Sequence, residues 1–295
     1  MSTECTSNTG CQTCPTAGAC SQEEKEKHAK RLIDTAMGAI KKKFMVLSGK
    51  GGVGKTSVAV NLAATLAARG KTVGILDADI HGPNIPKMLG VEDKRPMAAP
   101  GPVEAILPIA ASDTLRLMSI GFFLDSQDSA VIWRGPMKHG LIKQFLGEVY
   151  WGELDYLIMD LPPGTGDEAL SIAHLIGSVD GAVIVTTPQD VALLDSRKSI
   201  SFCRELKIPL IGVVENMSGM LCPHCGKTID LFKTGGGERI AREMKVPFLG
   251  RVPLDPTMVV CGDDGRPFVQ AYPESPATDA FAGIVSEWEK LLGGV

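Results

Sequence analysis

From Phe44 onward, short apolar runs alternate with amphipathic or glycine-punctuated stretches. FMVLS, TVGILDAD, LRLMSIGF, YLIMDLPP, GAVIVTTP, LIGVVENM and PFLGRVPLD follow one another along the chain. Continuous apolar strands separated by helices are the pattern of an α/β fold, a mostly parallel sheet flanked by helices on both faces. Residues 57–69 place Val58, Leu62 and Leu66 four apart and stop at Gly70, which predicts a helix. A second helix is expected over 190–207 with Asp190 as its cap. A third is expected over 277–292 with Phe281, Val285, Trp288 and Leu292 on one face. The stretch from Val91 to Gly147 carries prolines at 96, 100, 102 and 108, and its start reads as a long surface excursion.

The first part of the chain follows other rules. Residues 1–21 are rich in Thr, Ser, Gly and Cys with almost no large apolar side chain, so burial cannot order them and a ligand must. Residues 22–43 are highly charged before an apolar run at Leu32, Ile33, Ala36 and Ile40, the spacing of a helix with one modest apolar face. The expected organisation is a cysteine-rich ligand-binding segment at 1–21, a tether helix over 22–43 and one domain over 44–295.

Bulk properties narrow the chemistry. A chain of 295 residues with 44% hydrophobic content can bury one large core. A formal net charge of -4 gives no general pull toward nucleic acid, and Lys41-Lys42-Lys43 reads as a solvated strand entrance, so no nucleic-acid partner is expected. No apolar run approaches the roughly 20 residues that span a bilayer, and no basic region followed by an apolar stretch opens the chain. A cytoplasmic location with no membrane partner is therefore expected. In that reducing compartment the eight cysteines read as metal ligands or redox groups rather than disulfides.

Gly49, Lys50, Gly51, Gly52, Val53, Gly54, Lys55 and Thr56 spell a phosphate loop, placed after a strand and at the opening of a helix that continues with Ser57. Its glycines let backbone amides turn toward phosphate oxygens, Lys55 can reach the terminal phosphates, and the Thr56 hydroxyl can bind magnesium. Asp77 and Asp79 end one strand and Asp160 another, on the same edge of the sheet. Asp160 can hold the magnesium shell and Asp79 can position water, while Asp77 fits a loop-capping role better. Asn216, ending a later strand, can offer its amide to a purine edge or serve as a turn residue. Lys50 is a second cation in a loop that needs one. It either faces solvent or acts across a face-to-face homodimer on the partner's nucleotide, as an arginine finger does.

Six cysteines form two clusters. Cys222-Pro-His-Cys225 gives two thiolates at a spacing that suits one metal centre, half of the four that a 4Fe-4S cluster or structural zinc wants. Two copies facing across a dimer axis would complete it. His224, between them, reads as a solvent-facing loop residue. Cys5, Cys11, Cys14 and Cys20 form a C-x5-C-x2-C-x5-C array, a complete set for a cluster or for zinc. Cys203 and Cys261 stand alone; Cys203 reads as a small buried hydrophobe.

The loop GKGGVGKT, with DADIHGPN, WRGPM, DLPPGTGD, VVENMS and CPHC in that order, resembles the Mrp/ApbC family of iron-sulfur cluster carrier ATPases, relatives of MinD and of the nitrogenase iron protein. The resemblance covers residues 40 to 290 and implies a P-loop NTPase fold, ATP with magnesium as cofactors, and slow hydrolysis used as a switch. It implies that Lys50 contacts nucleotide on the other subunit. It also implies that Cys222 and Cys225 bridge a labile 4Fe-4S cluster, passed on to apo iron-sulfur proteins. The segment CQTCPTAGAC is similar to the amino-terminal cluster site of the eukaryotic scaffold branch, which adds a second 4Fe-4S cluster per chain and a related scaffold subunit as a possible partner. The first gap is much shorter here, which leaves Cys5 as the ligand that departs from the pattern. Competing readings are a MinD-type positioning ATPase with a zinc site, an ATP-driven electron-transfer reductase and a zinc-stabilised interaction module. The first lacks a basic terminal helix and leaves six cysteines unused.

Overall fold

The computed structural model describes residues 18, 20–99, 105–124, 135–222 and 224–293. Ser21 opens helix α1 (Gln22–Gly38) with a capping box: its hydroxyl accepts from the Glu24 N–H at 3.3 Å, while the Glu24 carboxylate accepts from the Ser21 N–H at 2.7 Å. The helix stops at Gly38 rather than at 43, because strand β1 (Ile40–Leu47) begins at Ile40. The lysine run is therefore strand. Lys43 is buried, and its ammonium donates to the carbonyls of Met37 at 3.4 Å and Ile40 at 3.2 Å, so its stem can lie against the core. Ile33 and Met37 of α1 join the central core, which makes the helix part of the domain's packing as well as a lead-in.

The chain continues through α2 (Lys55–Ala68), β2 (Val73–Asp77), α3 (Ile85–Met88), β3 (Ile109–Ala110), β4 (Leu115–Ser119), α4 (Gly135–Gly147), β5 (Leu154–Asp160) and α5 (Asp167–Ile176). It then runs through β6 (Gly181–Thr186), α6 (Asp190–Glu205), β7 (Leu210–Glu215), a hairpin of β8 (Met220–Leu221) and β9 (Thr228–Ile229), α7 (Gly236–Glu243) and β10 (Phe248–Arg251). Helices α8 (Pro256–Asp263), α9 (Phe268–Ala271) and α10 (Pro276–Gly293) complete the described chain. All seven apolar runs are strands. Helix α2 ends where Gly70 takes a positive φ of 79°, as its sequence predicts. Asp190 is the first residue of α6 rather than its cap, which is Gln189; its carboxylate instead pairs with Lys233 and Arg239.

Among the described residues the main sheet has the order β10-β7-β6-β1-β5-β2-β4-β3, parallel throughout except for β3 against β4. The chain runs from β1 out to β2 and β4, returns to β5 between β1 and β2, and then crosses to β6, β7 and β10 on the other side. Helix α2, buried nearly all round, lies on one face beside α9 and α10; α1, α4 and α5 pack together elsewhere, and α6 packs on α7. Phe44 of β1 meets Trp288 of α10 edge to face at 4.2 Å, a contact contributing about 0.5–1.5 kcal/mol beyond its buried area. The parallel registers bring Asp77 opposite Asp160, and Val46 opposite Asp160 on the other side, so the ends of β1, β2 and β5 form one shelf.

Candidate functional site

The loop between β1 and α2 sits on that shelf. Gly54, at φ 77°, is the N-cap of α2, so Lys55 and Thr56 occupy the first helical turn, where backbone N–H groups point outward unpaired. No side chain fits at Gly54, because a Cβ there would lie 2.3 Å from Asn216 Nδ2. Gly49 is equally constrained: a Cβ would come within 2.2 Å of the Asp195 carbonyl carbon of α6. Gly51 and Gly52 are exposed, Val53 is buried, and Ser57 is half-buried behind the loop.

Three carboxyls and one ammonium meet below it. Lys55 Nζ lies 2.7 Å from Asp160 Oδ1 and 3.9 Å from Asp79 Oδ2, and Thr56 Oγ1 donates to Asp160 Oδ2 at 2.7 Å. Asp77 accepts from Ser119 Oγ at 2.8 Å and from the Asp79 N–H at 3.3 Å. Burial pushes the Asp77 carboxyl up to about 8, helped by the neighbouring Asp160 charge. Burial also raises Asp160 and Asp79, with Lys55 opposing the rise in both. With one cation among three acids in the described residues, the cluster has room for added positive charge. Among the described residues, Asp160 Oδ1 is held only by the Lys55 ion pair, and Ser48 Oγ is buried with no hydrogen-bond partner. These oxygens and the glycine cradle fit a nucleotide phosphate with a divalent cation, for which Thr56 and Asp160 are the ligands at hand.

Asn216 is buried and donates from Nδ2 to the Val53 carbonyl of the loop at 2.9 Å. Its amide hydrogens face the loop backbone, where the sequence suggested a purine edge or a turn. Lys50 is half-buried, and no ion pair among the described residues engages it.

Cys222 and Cys225 lie in the β8–β9 hairpin, closed by Cys222 N–H to Lys227 O and Gly226 N–H to Cys222 O, both at 2.9 Å. Cys225 is exposed and Cys222 half-exposed, and both are free thiols. Backbone hydrogen bonds from His224 and Cys225, and one from the Cys225 side chain, lower the Cys222 thiol from its ordinary value and favour the thiolate that binds metal. His224 is exposed. Among the described residues no group of three or more His, Cys, Asp or Glu side chains is arranged to hold a metal ion. Cys20 is half-buried just before α1; Cys5, Cys11 and Cys14 lie outside the described residues. Cys203 is buried with its thiol pushed up to about 12 by desolvation, and Cys261 is buried too, so both behave as small core residues.

The structure also gathers side chains that the sequence reading passed over. Lys138 of α4 contacts His81 Nε2 at 2.5 Å and pairs with Glu168 of α5, while His81 lies 3.7 Å from Glu168. His81 lies within DADIHGPN, Lys138 directly follows WRGPM and Glu168 directly follows DLPPGTGD. Their proximity to one another was the missing information. They tie the segments that follow β2 and β5 to α4, beside Asp79.

Comparison with known proteins places the chain in a family. Residues 39–288 match the family described as ParA: NUBPL iron-transfer P-loop NTPase. An iron-sulfur cluster carrier protein of Methanocaldococcus jannaschii is 52% identical over 96% of this chain and 97% of its own length. One from Methanococcus maripaludis is 48% identical over 97% of both. Among solved structures, a nucleotide-binding protein from Archaeoglobus fulgidus in complex with ADP superimposes with a TM-score of 0.74 at 38% identity, covering 85% of this chain and 96% of its own. The cell division ATPase MinD of Pyrococcus furiosus gives 0.62 at 27% identity over 85% and 99%. With the phosphate loop, its carboxylate shelf and the cysteine hairpin in one parallel sheet, this chain belongs to the NUBPL-type iron-transfer P-loop NTPases of the ParA family.

Proposed function

We propose that the protein is an ATP-dependent iron-sulfur cluster scaffold and carrier, a cytoplasmic homodimer that holds a 4Fe-4S cluster as cargo and hands it to apo iron-sulfur proteins. One observation carries the reading: two accessible thiols of one hairpin, Cys222 and Cys225, stand six and nine residues beyond Asn216, a side chain bonded to the phosphate loop. A pair of thiolates is half of a four-thiolate set, and a second copy of the chain supplies the other half. The names of the relatives support cluster cargo over zinc.

In this reading Lys55 and the loop amides grip the nucleotide's phosphates, and Thr56 and Asp160 hold magnesium, which supplies neutralising charge at those phosphates. Asp79 orients the attacking water. Lys50 reaches the nucleotide of the partner chain, so hydrolysis requires the dimer. Hydrolysis is slow and serves as a switch on the hairpin's grip rather than as a power source. Cys5, Cys11, Cys14 and Cys20 hold a second cluster on each chain.

The test is transfer. Wild-type protein loaded with cluster without oxygen should activate an apo iron-sulfur enzyme, and Cys222→Ala with Cys225→Ala should lose that transfer entirely. Lys50→Ala should bind nucleotide but hydrolyse it at least about 10²-fold more slowly and lose nucleotide-dependent dimer. Undiminished transfer by the double cysteine variant would remove the hairpin from the mechanism.

A further inference from the structure

The segment between the phosphate loop and the cysteine hairpin is tied at every joint. It starts at Glu215, the last residue of β7, whose fully buried carboxylate accepts from Gly235 N–H at 2.8 Å, from Gly237 N–H and from Ser218 Oγ. Next comes Asn216, whose own N–H donates to Thr186 O at 2.7 Å and whose side chain donates to Val53 O. Met217 takes a left-handed φ of 55°, a conformation few residues other than glycine adopt. Its methyl carbon lies 3.4 Å from where a Gly54 Cβ would stand. Ser218 N–H then bonds to Val252 O at 3.0 Å, and Gly219 O accepts from Leu254 N–H at 2.7 Å. Met220 pairs with Leu254, and two residues later the chain reaches Cys222.

The position of the Asn216 bond matters. A peptide unit is planar and trans, so the carbonyl of Val53 and the N–H of Gly54 point in opposite directions. Asn216 holds the back of the unit whose front N–H belongs to the phosphate cradle. Any turn of that N–H toward a phosphate swings the Val53 oxygen and pulls on the amide. Burial leaves Asn216 no water to substitute for the bond, and the packed Gly54 leaves it no space to slide.

We propose that Asn216 is a positioning residue that couples occupancy of the phosphate loop to the placement of the Cys222/Cys225 hairpin, through the rigid connector Asn216 to Met220. The proposal rests on the carrier reading above, for which it supplies the link between nucleotide and cargo. Coupling of this kind is reciprocal: nucleotide changes the hairpin, and cargo on the hairpin changes nucleotide affinity by the same factor.

The experiment uses the full-length, reduced, metal-free protein. The rate at which iodoacetamide alkylates Cys222 and Cys225 is read by peptide mass spectrometry, with and without saturating Mg-ADP or a non-hydrolysable Mg-ATP analogue. Buried Cys203 reports global unfolding. In the wild type, nucleotide should change the alkylation rate by about 5-fold or more. In Asn216→Ala, with loop occupancy verified by direct nucleotide binding, the change should fall below about 2-fold. Met217→Gly keeps both the amide and the loop but frees the connector; it should bind nucleotide with the hairpin response cut to about half, and it decides the matter if Asn216→Ala does not bind. An undiminished nucleotide response in these variants, or none in the wild type, would overturn the proposal. Because the assay contains no cluster, either failure leaves the carrier reading standing, and that reading fails separately if the reconstituted wild type holds no sulfide.

Discussion

Strand β5 carries an aspartate near each end, and the two live in opposite physical regimes. Asp155, at the amino end, accepts from Lys41 Nζ at 2.8 Å and from the N–H and hydroxyl of Thr72 at 2.8 and 3.0 Å. The Lys41 hydrogen bond and then those from Thr72 hold its carboxyl down to about 2. Asp160, five residues on, is fully buried, and desolvation raises it despite Lys55 and Thr56. One end of the sheet is electrostatically finished. The other holds buried acids with too little positive charge, which is how a site that recruits a cationic ligand differs from a surface that only needs to be stable.

Removing the one cation that the described residues place at the shelf disturbs that end most. Lys55→Ala leaves Asp160 without its partner, and breaking a buried pair costs about 3–5 kcal/mol unless the acid takes up a proton. Nucleotide hydrolysis should fall by at least about 10²-fold, measured as phosphate release, and the melting temperature should drop more at pH 8 than at pH 5.

Next in size is the ring of Lys138, His81 and Glu168. Lys138→Ala unties α4 from the segments after β2 and β5. It should lower kcat by about 10-fold, with a smaller effect on nucleotide affinity, as expected when groups are misplaced and binding contacts survive. Lys138→Arg should restore part of the loss.

The two ends should also titrate with opposite slopes. Asp77, held at about 8 when folded and near 3.8 when unfolded, favours the native state below pH 4; that advantage is lost as pH rises toward and through 8. Asp77→Asn should flatten this decline. Asp155 behaves the other way: its stabilisation is present above pH 4 and is lost as pH falls through about 2. Lys41 is largely exposed, so solvent screening limits the effect of Asp155→Asn to about 1 kcal/mol at pH 7. Hydrolysis should be unchanged in that variant. Urea melts across pH 2 to 9 read both slopes.

Much of the shelf was legible because its signals are local. The phosphate loop is eight consecutive residues, and the acids sit at the ends of apolar runs. What escaped the sequence depends on contacts between distant segments or on side chains that hide their environment. Lys41-Lys42-Lys43 reads as a solvated strand entrance, and it is strand, but Lys43 is buried with its ammonium on two carbonyls, a contact that composition does not show. The hydrogen bond from Asn216 spans 163 positions, and no periodicity encodes it. The strands β8 and β9 are two residues each, too short to announce the hairpin that presents the cysteines. The ring of Lys138, His81 and Glu168 is assembled from three separated segments, and its members look like ordinary surface charges until the fold brings them together.

In the carrier reading, Cys222 and Cys225 of two chains share one transferable cluster. The most direct measurement is iron, sulfide and zinc per subunit, with native mass, on protein reconstituted without oxygen, for the wild type and for Cys222→Ala with Cys225→Ala. The expected result is that the variant loses about four iron and four sulfide per dimer and the cluster-dependent dimer, while retaining whatever the amino-terminal cysteines hold. Stoichiometric zinc with no sulfide, or an unchanged iron and sulfide content in the variant, would contradict it.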